Sequence, residues 1–323
     1  MGRIDQTYEG MLQGILKTGF TYPDPNRKGV NRIQVPSMYF SHDLSKGFPA
    51  LTSKKLYWKA VMAELLWFLR GQHNIRELRK DGITIWDKDA YNHYKVVCKN
   101  LGQVPRLDFQ EFLLAVDSST PSSIVGYEYG DLGPIYGKQW RDSGEVDQIQ
   151  NLINNMRKNV MNTSLIVNAW NVQDLEKMGL KPCHFGFQIL GQPLENGKHG
   201  FHLQWWQRSV DTFLGLPFNI ASYGSLAHIL ELMTGHKALS ISGILNNIHI
   251  YDEHMPAVKE QLTRDIEIPS PTLKFSNDSY NSDVDWTKMS LDAFLDELHY
   301  GMFELEGYNP SNPIKAEMLP YNK

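Results

Sequence analysis

Two neighbouring stretches of this chain carry residue types able to make and break covalent bonds. Cys183, one of two cysteines, follows Pro182 and precedes the strand-like run Phe185–Leu190. Proline ends local helix, so the pattern puts a thiol at the lip of a sheet. Gly200–Gln207 reads as a second strand, which delivers Gln207, Arg208, Ser209 and Asp211 before the stretch Gly215-Leu-Pro-Phe-Asn219, read here as a turn. A thiol, a cation and an amide therefore converge. A free thiol has a pKa of about 8.5, so a cation such as Arg208 is what would favour the nucleophilic thiolate at neutral pH. A lone cysteine reads more readily as a packing residue, and the polar neighbours reverse that reading.

The elements that must hold these groups follow from periodicity. Ile4, Tyr8, Met11, Leu12, Ile15 and Leu16 recur at helical spacing over 4–18, and Gly19 ends the pattern. The loop Tyr22–Gly29 is rich in turn formers and is expected to hold Arg27 exposed. Residues 56–70 form an apolar helix with Glu64 on or at the edge of its stripe, where a carboxylate is costly unless hydrogen-bonded. A helix is expected over 146–158, a strand over 164–170 and a long apolar helix over 219–235, closed by Gly235. In the strand 241–250, His249 and the following Tyr251 face one side. Residues 90–128 look like an insert with helices at 90–101 and 108–116 and a loop at 118–123; 271–290 is polar and irregular. No repeat or linker is found, and helices and strands are mixed along the chain.

Composition narrows the function. Hydrophobic residues make up 41% and charged residues 21% of the 323, the profile of a globular protein. The net charge is −4 and there is no Lys/Arg run, which argues against a nucleic-acid partner. Cys98 and Cys183 lie in unrelated contexts, which points to neither a disulfide framework nor a metal site. The N-terminus lacks an apolar signal core, and no apolar run approaches the roughly 20 residues that span a bilayer. The expectation is a cytoplasmic protein with no membrane partner.

Pro-Cys-His at 182–184, Gln-Arg-Ser-x-Asp at 207–211 and Phe-Leu-Gly-Leu-Pro-Phe-Asn-Ile-Ala-Ser-Tyr at 213–223 resemble the active-site strands of the folate-dependent thymidylate synthases, a superfamily that includes pyrimidine hydroxymethylases. The likeness extends to Phe48–Lys55, Glu64–Leu69, Ile85-Trp-Asp87, Gly130–Arg141, Ile166–Asn171 and His249-Ile-Tyr251. It implies a single α/β domain over 1–323, with a large mixed sheet covered by helices, and a homodimer formed through the sheet. It also implies deoxyuridylate and methylene-tetrahydrofolate as substrates. By the same resemblance Cys183 is the nucleophile, Arg208 supports its thiolate, and Glu64 and Tyr136 assist loss of the carbon-5 proton. Asp211 anchors the pterin ring, and Trp86, Gly215 and Lys54 join it around the folate. Arg27, Gln207, Ser209, Asn219, His249 and Tyr251 bind the nucleotide. Asn219 favours uracil, since cytosine-specific relatives carry an aspartate there, and an amide offers uracil both a donor and an acceptor.

Three departures from that pattern bear on chemistry. Asp89 stands where a second tryptophan is expected, which makes the wall around the reactive methylene more polar. Thr163 and Ser164 replace an arginine pair that reaches the partner subunit's phosphate, with Arg157 and Lys158 as nearby substitutes. The tail beyond Ala316 continues through Glu317 to Lys323. The reading is therefore a thymidylate synthase. The alternatives are a deoxyuridylate hydroxymethylase, in which water replaces hydride, and a non-catalytic nucleotide- or RNA-binding relative.

Overall fold

A computed structural model describes residues 4–118, 123–124, 126–264, 269–276 and 284–319. Most of the loop expected at 118–123, part of the polar 271–290 segment and the last four residues of the tail lie outside these.

The centre is a seven-stranded sheet. Its strands are β1 (Phe20–Pro23), β2 (Asn31–Asp43), β3 (Ile166–Asn168), β4 (His184–Pro193), β5 (His199–Gln207), β6 (Val210–Asp211) and β7 (Lys237–Tyr251). They run in the order β1-β2-β7-β5-β4-β3, with β6 paired to β7. β7 lies parallel to β5 and β6 and antiparallel to β2; the remaining pairs are antiparallel. The sheet is mixed, as expected.

Helices α1 (Ile4–Thr18), α2 (Trp58–Leu69), α3 (Asp87–Asn100), α4 (Phe109–Asp117), α5 (Tyr136–Arg141), α6 (Gln148–Asn159) and α7 (Gly215–Thr234) complete the frame. The core runs through Leu12, Leu65, Phe68, Phe187, Leu203, Trp205, Ile220 and Ile241, all nearly sealed from solvent. The opposite face of the sheet exposes Tyr39, Ile166 and Leu190 at 63%, 50% and 38%.

The expected turn at 215–219 is instead the first turns of α7. Pro217 sits where the helix needs no N–H partner, so it opens the helix rather than breaking it. Gly235 ends α7 in the left-handed region at φ 72, as its position suggested. The expected strand at 164–170 shrinks to three residues at the sheet edge. The 271–290 segment contains a short strand, Thr272–Phe275, paired with Phe303–Glu306, where only irregular chain was expected.

The segment read as an insert carries both expected helices. Asp108 caps α4 in a reciprocal box with Glu111. Tyr91, Tyr94, Phe112 and Tyr127 pack ring to ring. Arg79 pairs with Asp87 and Asp117, tying the start of α3 and the end of α4 to the short 76–80 helix.

Candidate active site

Cys183 and Arg208 face each other across the open end of the β4/β5 pair. His184 stands opposite Gln207 in the register, and the Arg208 N–H donates to the Cys183 carbonyl at 2.8 Å. The Arg208 guanidinium is braced by the carbonyls of Pro182 and Lys181, both at 2.8 Å, and lies 5.5 Å from the centre of the Trp170 ring. The half-buried Cys183 donates its own N–H to the Tyr136 hydroxyl at 2.6 Å. Burial pushes the thiol pKa up, Arg208 pulls it down, and Asp89 adds to the rise. Burial prevails, so Cys183 rests as a thiol. Arg208 acts on the thiolate in the expected direction without prevailing.

Behind the thiol, His184 stacks on Tyr136 at 4.4 Å and bonds the Tyr223 hydroxyl at 3.0 Å. Burial drives the His184 pKa down to about 3, so the ring is neutral and serves as packing with one polar contact.

The amide lies one strand end away. Asn219, in α7, accepts from the Gln207 side chain at 3.0 Å. Gln207 is itself buried and also bonds Ser209 O and Trp205 Nε1. It therefore fixes which way the Asn219 amide points. Ser209 receives a bond of 3.4 Å from Asn247, whose φ of 48 puts a non-glycine residue in the left-handed region within β7. Just beyond this kink His249 Nδ1 donates to the Asn247 carbonyl at 2.7 Å, and His249 Nε2 accepts from the Tyr251 hydroxyl at 3.0 Å. Burial lowers the His249 pKa to about 4, which keeps this relay neutral.

A second group of side chains forms the other wall. Trp86 Nε1 donates to Glu64 at 2.7 Å, and burial lifts the Glu64 pKa to about 7 against that bond. Asp211, beside His249 in the sheet, accepts the N–H groups of Phe213 and Leu214 at 3.0 and 3.1 Å and so fixes the turn that leads into α7. Lys54 is buried against the Phe213 ring, 3.6 Å from its centre, and donates to its carbonyl at 2.5 Å. Burial lowers the Lys54 pKa to about 7, with Asp211 opposing. Gly215 opens α7 beside the Asp211 side chain, where an added Cβ would make only an ordinary contact at 3.6 Å. Asp89 lies one turn after Trp86, on the same side of α3. Burial raises its pKa to about 6, and Arg27 opposes the rise.

The loop expected to hold Arg27 exposed draws it inward instead. Its Nε donates to the Leu319 carbonyl at 3.1 Å, and its guanidinium lies 4.9 Å from the Tyr251 ring centre, leaving the side chain 16% exposed. The tail is held at two more points. Lys88 bonds the Glu317 side chain at 3.2 Å and the Met318 carbonyl at 3.3 Å, and His254 bonds the Glu317 carbonyl at 2.8 Å. Thr163 and Ser164 lie exposed at the entry to edge strand β3. Arg157 donates within this chain to the carbonyls of Met233, Trp286 and Met289.

Among the described residues no cluster of His, Cys, Asp or Glu is arranged to hold a metal ion, and no helix is long and apolar enough to cross a membrane. The family model for thymidylate synthase matches residues 6–320. The chain belongs to the thymidylate synthase family. It is 37% identical over 319 residues to the probable thymidylate synthase of Escherichia phage T5, covering 97% of this chain and 99% of that one. Against the thymidylate synthase of Enterobacteria phage T4 the identity is 38% over 321 residues, with 96% and 98% covered. Against that of Malacoplasma penetrans (strain HF-2) it is 38% over 267 residues, with 82% and 88% covered. The expected family membership and methyltransferase type are thus borne out.

Seen within this family, the site contains groups that sequence reasoning passed over. His184 had only its adjacency to Cys183 as a signal. Lys88 and His254 had none, because their roles come from the tail, and the contact between Lys88 and Glu317 spans 229 positions.

Proposed function

We propose that this enzyme makes thymidylate from deoxyuridylate by reductive methylation. The observation that carries the reading is Cys183 and Arg208 braced across one strand end, with the Asn219 amide oriented by Gln207 nearby. Cys183 adds to carbon-6 of the uracil ring, which turns carbon-5 into a nucleophile. Arg208 offsets the burial of the developing thiolate. Asn219 bonds the ring's N3/O4 edge. Glu64, titrating near 7 and bonded to Trp86, holds or releases a proton at working pH, with Tyr136 on the other side of the thiol.

Methylene-tetrahydrofolate supplies the one-carbon unit and the hydride when bound. The residues present fit it: Asp211 is a carboxylate anchored at a helix entry and still a quarter exposed, able to accept from pterin N–H groups. Trp86 offers an indole wall, and Lys54 and Gly215 line the Asp211 side. Arg27, Arg208 and Ser209 remain for the phosphate, while His249 and Tyr251 face the sugar.

Asp89 supports a second reading, deoxyuridylate hydroxymethylase. A carboxyl with a pKa near 6 beside Cys183 and Arg27 would hold water near the methylene group. Incubation with deoxyuridylate and methylene-tetrahydrofolate separates the two. Thymidylate by mass with equimolar dihydrofolate by absorbance supports the synthase; hydroxymethyl-deoxyuridylate without dihydrofolate supports the alternative. Neither product would overturn both.

The open sheet face with Tyr39, Ile166 and Leu190 supports a homodimer formed through the sheet. Light scattering that returns an active monomer would overturn it. The proposed compartment is the cytoplasm, where the free thiols Cys98 and Cys183 remain reduced.

A further inference from the structure

His254 lies just beyond β7, 1% exposed, with Phe213 and Tyr251 each 5.6 Å from its ring. Its Nε2 is 2.8 Å from the Glu317 carbonyl of the tail. A carbonyl only accepts, so Nε2 carries a proton, and in the neutral ring Nδ1 is a bare acceptor. Nδ1 is buried, has no hydrogen-bond partner among the described residues, and stands 4.0 Å from Asp211 Oδ1. That oxygen also accepts, from the Phe213 and Leu214 amides. Two acceptors facing each other in a buried space are unfavourable, and an unmet buried acceptor costs roughly 1–3 kcal/mol. The pair becomes favourable once a donor stands between them.

We infer that His254 is a positioning residue of the folate subsite, acting through Asp211. The tail carbonyl at 317 fixes the ring's tautomer, and the Nδ1 so presented shares with Asp211 a donor N–H of the bound pterin, directly or through one water. The docked tail and the folate anchor are thereby coupled through one imidazole. This rests on the proposal that Asp211 meets the pterin.

Two variants divide the ring's functions. In His254→Asn the amide takes the position of Nδ1 and the tail bond is lost; in His254→Gln the amide takes the position of Nε2 and the Nδ1 contact is lost. Folate affinity is measured by equilibrium titration with deoxyuridylate bound, alongside kcat and thermal melting. The inference expects His254→Gln to weaken folate binding by about tenfold, with deoxyuridylate affinity and melting temperature near those of the parent. It expects His254→Asn to restore most of that loss. The reverse ranking, with Gln rescuing and Asn failing, would mean that His254 serves the tail alone and would overturn the inference. Asp211→Asn completes a cycle. If Asp211→Asn leaves folate affinity unchanged, the underlying reading of Asp211 fails. If it weakens binding but adds to His254→Gln without coupling, the reading of Asp211 stands and the role of His254 falls.

Discussion

The two ends of the cleft are built on different terms. At the nucleotide end, Tyr136, His184 and Asn219 sit on a strand and helices, with Cys183 just before its strand, among sealed aromatic rings, and the imidazole there stays neutral at physiological pH. At the tail end, Arg27, Lys88 and His254 grip residues 317–319 through four hydrogen bonds, two of them from Lys88, and Asp89 titrates near 6. The first arrangement suits bond formation, which tolerates little misplacement. The second suits a part that must open to admit ligand, since a few bonds to a tail are cheap to exchange. Dense packing and loose fastening here divide chemistry from access.

The largest effect expected is at the packed end. Cys183→Ser should lower kcat by more than about 10⁴-fold, because the covalent step disappears. Its melting temperature should match the parent's, since one half-buried sulfur is replaced by oxygen. Retained turnover would undo the nucleophile assignment and blur the contrast between the two ends.

Glu64→Gln comes next and moves two readouts in opposite directions. Loss of proton transfer should cost about 10²–10⁴ in kcat. Stability should rise at alkaline pH. The folded Glu64 pKa of about 7 exceeds its ordinary 4.5, so between those values the unfolded chain releases its proton first and the native state loses ground as pH climbs. The burial cost is absent below 4.5 and complete above 7, and amounts to roughly 3 kcal/mol. Melting curves at pH 4.5 and 8 test this: the variant's gain should appear only at the higher pH.

At the loose end the expected effects are smaller. Deleting residues 317–323 removes the carbonyls that hold Arg27, Lys88 and His254. The KM for folate should rise by roughly tenfold, a loss of about 1.4 kcal/mol, with little change in melting temperature because Glu317–Leu319, the described part of the tail, do not pack against the core. A large drop in melting temperature would make the tail a structural strap and remove the distinction drawn above.

The same division governs what the sequence disclosed. Helix 4–18 was legible to the residue, since its apolar period and Gly19 are local signals. The Cys183–Arg208 pairing was legible because two short strands flank it. The start of α7 was misread as a turn because Gly and Pro carry the same local message in a turn and in the first turn of a helix. Arg27 was read as exposed because its partner, Leu319, lies 292 positions away. His254 gave no local signal. Its meaning arises from Asp211 on one side and the tail on the other, contacts that no periodicity encodes.

Asp89 joins the two ends, and the smallest predicted effect tests how far it reaches. Its charge raises the Cys183 pKa while Arg27 and Arg208 lower it. Asp89→Asn should therefore lower the thiol pKa and speed alkylation of Cys183 by iodoacetamide, by severalfold at most. The effect must depend on pH: below about 6 Asp89 is largely protonated, and parent and variant should react alike. Above that they should separate, with the variant faster. Equal rates across the whole range would mean that the polar wall at Asp89 does not reach the thiol, and that the loose end leaves the chemistry of the packed end untouched.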